Sequence, residues 1–123
     1  MNIIITMPDL DKQGYKELVK FYKKLKGFIY YKVPFLPKQT KKGERCLIVS
    51  NGVLVGSHEI VDLRFVSREE SVRLSHGDWG EGFYIIRDAK TFKKFKREIK
   101  FKGFRGFRYL ETLTLKIAKG EWR

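Results

Sequence analysis

The chain has 123 residues, 42% of them hydrophobic, with ten Phe, six Tyr and two Trp, and a formal net charge of +13. That length lies within the usual size of one domain and that apolar share can build one core, so a single domain over residues 1–123 is expected. No stretch approaches the ~20 apolar residues of a membrane span, the run from Asn2 to Thr6 is too short for a signal-peptide core, and one cysteine, Cys46, excludes an internal disulfide and any multi-cysteine zinc site. A cytoplasmic location is the expectation.

Ile3 to Thr6 is dominated by β-branched residues and predicts a short strand. Pro8-Asp9 supplies a break and a helix cap. Tyr15, Leu18, Val19, Tyr22 and Leu25 then repeat at the spacing of one helical stripe, Lys12, Lys16, Lys20, Lys23, Lys24 and Lys26 cover the remaining face, and Gly27 ends the helix. Phe21 falls off the apolar stripe. Phe28 to Val33 predicts a second strand, and Pro34 and Pro37 an extended connection. Cys46 to Ser50 and Val53 to Val66 are apolar runs joined by Asn51-Gly52, the strongest short-range hairpin signal. Gly56-Ser57 interrupts the second run where a bulge would let a long strand bend.

Ser67-Arg68-Glu69-Glu70 fits a capping box in which Ser67 caps and Glu70 reaches back, opening a short helix to about Leu74. Residues 77–82 predict an irregular loop, Phe83 to Arg87 a strand, and Leu110 to Ala118 a last strand.

Charge is partitioned along this plan. Residues 12–45 hold eleven basic and two acidic side chains, residues 46–89 four and seven, and residues 90–108 nine and one. In the last of these, Phe92, Phe95, Phe101, Phe104 and Phe107 are spaced through the cations. Two basic segments around an acidic middle predict a positive surface that recruits a polyanion. Cations neutralise phosphates and exposed aromatic rings stack on unpaired bases, so RNA or single-stranded nucleic acid is the first partner to consider. Gly103 and Gly106 let the chain kink twice, presenting Arg105 and Arg108 for phosphate forks; for Phe104 and Phe107 a core role is favoured over stacking.

Lys42-Gly43-Glu44-Arg45-Cys46-Leu47-Ile48-Val49, followed by Val53-Leu54-Val55-Gly56-Ser57-His58-Glu59-Ile60-Val61, resembles the central hairpin of the PUA-like superfamily, including its ASCH and EVE branches. The resemblance covers roughly residues 40–110. It implies an α+β fold: a small PUA-like β-barrel of five to six strands, with a basic N-terminal helix and one short helix, binding RNA or a modified base in a cleft beside the helix.

The expected site therefore joins Lys93, Lys94, Lys96, Arg97, Lys100, Lys102, Arg105 and Arg108 to Lys16, Lys20 and Lys23 on the helix, with Trp79 for stacking. No cofactor or metal is expected. One alternative is a small metal-independent nuclease or amidohydrolase of the same fold, using His76, Asp78 and Glu111, because a histidine oriented by a carboxylate can serve as a general base. Another is a basic adaptor for an acidic protein partner, which needs no aromatic contacts.

Overall fold

The computed structural model describes residues 1–7, 14–73 and 80–109, the Arg97 side chain excepted. In chain order the elements are β1 (Ile3–Thr6), α1 (Tyr15–Lys24), β2 (Phe28–Val33), β3 (Arg45–Ser50), β4 (Val53–Val66), α2 (Arg68–Val72), β5 (Gly82–Lys100) and β6 (Phe107–Tyr109). All six strands form one sheet in the order β2-β5-β4-β3-β1-β6, curled into a half-barrel. β1 runs parallel to β3, and every other pairing is antiparallel.

The Ile3-Ile4-Ile5 run is apolar throughout because β1 is buried on both faces. Ile3 and Ile5 join Val33, Cys46, Ile60 and Ile85 on the inner face. Helix α1 closes the inner face further along with Leu18, Val19 and Tyr22, packed on Ile48, Val53 and Val55. Ile4 points the other way, into a cluster with Leu47, Val49, Leu54 and Phe95, which Ile99, Phe101 and Phe104 cover.

The hairpin forms as its sequence dictates: Asn51 and Gly52 take φ values of 51° and 75°, the left-handed pair that a two-residue turn requires. Across it Ile48 pairs with Gly56 and Val49 with Leu54, leaving Val55 as the extra residue of a bulge. Gly56 is there for lack of space. A Cβ at that position would sit 2.3 Å from the Lys93 carbonyl oxygen.

Four local expectations are corrected. Helix α1 begins at Tyr15 with Gly14 as its cap, a bond running from Leu18 N–H to Gly14 C=O at 3.0 Å, and the expected cap Asp9 lies outside the described residues. In the capping box Ser67 Oγ does accept from Glu70 N–H at 3.2 Å, but the Glu70 carboxylate turns instead to the Arg64 guanidinium, 2.7 Å from Nη1, because a full cation outcompetes a backbone N–H. The strand expected over Phe83 to Arg87 continues to Lys100 as the longest of the sheet. At the two glycine kinks, Gly106 adopts φ 71° as expected, whereas Gly103 needs no positive φ and is small because a Cβ would lie 3.0 Å from Thr6 Cγ2. The expected strand over Leu110 to Ala118 lies outside the described residues.

Candidate functional site

β5 is the element that builds the site, and it does so by losing register. Between Ser57 and Glu59 on β4 the partner on β5 jumps from Lys93 to Asp88, and between Gly56 and Leu54 it jumps from Lys94 to Ile99. Each jump uses more residues on β5 than on β4, so the strand bulges twice. Hydrogen bonds tie down the first bulge: Thr91 Oγ1 donates to Asp88 C=O at 2.6 Å and accepts from Glu59 N–H at 2.8 Å, Arg45 Nη2 donates to Thr91 C=O at 2.8 Å, and Ala89 N–H reaches Gly27 C=O at 2.9 Å. The second leaves the Phe95 carbonyl outside the ladder, and there the Tyr15 hydroxyl from helix α1 donates to it.

That bond ties the helix to the bulge, and between them lies an open groove of about 470 Å³. Lys16, Lys20 and Lys23 line one wall, Lys94 and Lys96 the other, with Tyr15 and Val19 beneath and Glu98 among the lysines. On the helix the three lysines are spaced i, i+4, i+7, which puts them along one edge over about 10 Å. Five ammonium groups facing one carboxylate make a strongly positive trough. The Tyr15 phenol is pushed up from its ordinary value, first by burial and then by the Glu98 charge.

Five of the expected contact residues thus come together from segments some seventy residues apart in sequence. Lys93, Lys100, Lys102 and Arg105 are exposed on the described surface but do not line the groove. Arg108, exposed, lies with its guanidinium carbon 4.3 Å from the Phe104 ring centroid, a cation–π contact. Trp79, His76, Asp78 and Glu111 lie outside the described residues, as does the Arg97 side chain.

The phenylalanines of the basic segment turn inward. Phe95 is a core residue, Phe101 and Phe104 pack on its cluster, Phe107 packs near Ile3 and Ile5, and Phe92 stacks on Tyr22 with centroids 5.7 Å apart. Phe92 and Phe95 are three residues apart yet both are packed, in clusters on opposite faces of the sheet, because the chain between them and after them leaves the regular ladder. Phe21, off the helical stripe, is 39% exposed, and Phe28 at the start of β2 is 56% exposed.

A second polar cluster was not anticipated. Arg87 and His58 are both fully buried on the inner face, His58 lying between Tyr22 and Phe92 with centroid distances of 6.1 and 5.5 Å. Burial, then the Arg87 and Arg45 charges, hold the His58 imidazole neutral, its pKa lowered to about 2. The one sequence signal was the inward alternation Ile85, Arg87, Ala89 in a strand whose neighbours on that face are apolar.

Among the described residues no helix is long and apolar enough to cross a membrane, and no three His, Cys, Asp or Glu side chains gather as a metal ion requires. Fold and groove together define a mostly-sheet domain with a lysine-lined trough between its longest strand and its first helix. No family model matches the chain, and no curated protein matches it.

Proposed function

We propose that the chain is a PUA-like nucleic-acid-binding module and that the groove between α1 and β5 holds the phosphate backbone of RNA or another single strand. The single observation that carries this reading is the convergence of Lys16, Lys20, Lys23, Lys94 and Lys96 on one open trough. Ammonium ions are point charges that neutralise phosphates without reading bases. Because the phenylalanines of the basic segment are committed to the core, the affinity comes from charge more than from stacking, and binding is tolerant of sequence. Support for the fold-level reading is the Lys42–Arg45 turn into β3, with Gly43 at φ 91° and its N–H bonded to Ile60 C=O at 2.8 Å, and the Gly56 bulge that follows the hairpin.

Fluorescence anisotropy with labelled single-stranded RNA, duplex RNA and single-stranded DNA, measured over a range of salt concentrations with polyglutamate as control, tests it. The double variant Lys20→Ala/Lys94→Ala, one residue from each wall, is expected to weaken binding to single strands and to flatten the slope of log K against log salt by about 0.7 for each phosphate that is no longer neutralised. An unchanged slope, or equal affinity for polyglutamate, would remove the groove from consideration and favour the adaptor reading.

A further inference from the structure

Among the described residues Arg87 is the largest side chain with no exposure to solvent. A cation so placed is normally matched by a carboxylate, because a buried charge left unpaired is among the heaviest penalties a fold can carry. Among the described residues no carboxylate reaches it. Its neighbour in sequence, Asp88, alternates to the opposite face, where it accepts from Lys90 N–H at 3.1 Å and lies 3.9 Å from Lys90 Nζ. Asp62 is paired with Arg64 and Lys42, and Glu44 lies against the Met1 ammonium. What the guanidinium does touch is sulfur: Met7 Sδ, 3.8 Å from each terminal nitrogen, and the Cys46 thiol, which burial pushes up and so keeps neutral. Both are weak acceptors, and Arg87 Nε finds no partner.

Beside it, neither ring nitrogen of His58 has a partner. His58 pairs across the sheet with Cys46, and Ile60, two residues on and on the same face, pairs with Arg87. Arg87, His58 and Cys46 therefore line one stretch of the inner face, under Met7 and Tyr22. The under-used atoms are donors at a planar fork and a neutral imidazole, which offers one N–H and one lone pair. Oxyanions that present two oxygens side by side, carboxylate or phosphate, match that set: the fork takes the two oxygens and the imidazole N–H a third contact.

We propose that the inner face of the half-barrel is a binding site for a small oxyanion, a carboxylate or phosphate group, gripped by the Arg87 guanidinium and hydrogen-bonded by His58. Met7 is the group such a ligand displaces; its unbranched thioether is flexible enough to swing aside. This site is separate from the lysine trough, and neither reading depends on the other.

The test is urea denaturation of the full chain in formate and in inorganic phosphate, with ionic strength held constant by chloride. Once the anion exceeds its Kd, each tenfold increase is expected to lower the unfolding constant of the wild-type chain about tenfold. Lys20→Ala/Lys94→Ala should keep that dependence, and Arg87→Met should lose it. A wild-type chain indifferent to both anions, a dependence that survives in Arg87→Met, or one abolished by the lysine variant would each overturn the proposal. Should Arg87→Met fail to fold, the Arg87 Nε–H resonance of the wild-type chain decides: it shifts on titration with formate if the anion binds there, and stays still if it does not. Formate and phosphate acting alike points to a general oxyanion pocket; phosphate acting alone narrows the ligand to phosphate esters, and either result supports the site.

Discussion

β5 carries two kinds of cation in two kinds of strand. From Gly82 to Arg87 it is held between β2 and β4, and it buries a guanidinium completely. From Asp88 to Lys100 it bulges twice and presents Lys94 and Lys96 to a solvent-filled trough. The contrast is one of replaceability. Exposed ammonium groups act by summed potential, so any one of them can be exchanged at modest cost. A buried guanidinium acts by geometry, and neither lysine nor a shift of position reproduces its fork. Pairing to a neighbour on each side supplies the rigidity the second role needs, and bulging supplies the exposure the first needs.

The largest expected effect comes from cutting the link between the halves. Phe95, 1% exposed, fills the outer core at the second bulge while its carbonyl holds Tyr15. Phe95→Ala is expected to cost about 3–5 kcal/mol in urea denaturation and to lower RNA affinity with it. A loss of stability with undiminished binding at a temperature where the variant is folded would mean that the groove does not depend on the bulge.

Next is the buried half and its response to acid. His58 has a folded pKa near 2, far below its value in an unfolded chain, so the stability it contributes is full above about pH 6.5 and is lost as the pH falls below that. Each pH unit below the unfolded value should cost about 1.4 kcal/mol. His58→Gln should flatten the plot of unfolding free energy against pH between 6 and 4 by one proton; identical slopes in the two chains would show that His58 is charged, and hence solvated, in the fold. The smallest effect is on the exposed side. Tyr15→Phe removes one hydrogen bond to Phe95 C=O and is expected to cost about 0.5–1.5 kcal/mol, read from the denaturation midpoint, with a smaller loss of RNA affinity than Lys20→Ala/Lys94→Ala.

Much of the architecture was legible in the residues. The β1 run, the amphipathic stripe of α1, the Asn51-Gly52 turn and the full span of β4 follow from periodicity and turn chemistry, and the structure has them where those rules put them. The second half of β5 was not legible as strand, because the spacing of Phe92 and Phe95 is three, the signature of a helix, and only the bulges make it compatible with a sheet. Convergence of α1 and β5 on one trough is a tertiary fact that charge counting could only hint at. Arg87 was hidden for a different reason: in sequence it is one basic residue among the acidic middle segment, and its one local trace is its place in the alternation Ile85, Arg87, Ala89, which does not by itself separate a buried arginine from a solvated one. The reach of Glu70 was misjudged because Arg64 competes for it from the preceding strand.

The doubled bulge of β5 also bears on how such a chain can change length over evolutionary time. A regular strand tolerates no insertion, since one extra residue turns every following side chain to the wrong face. From Phe95 to Glu98 the surplus is already looped out of the ladder, and among its described side chains only Phe95 is buried. Residues can be gained or lost there while the flanking pairs at Gly56 and Leu54 hold their places. The wall of the trough is thus the part of the sheet whose reach can be retailored by insertion and deletion, leaving the buried arginine and its surroundings untouched.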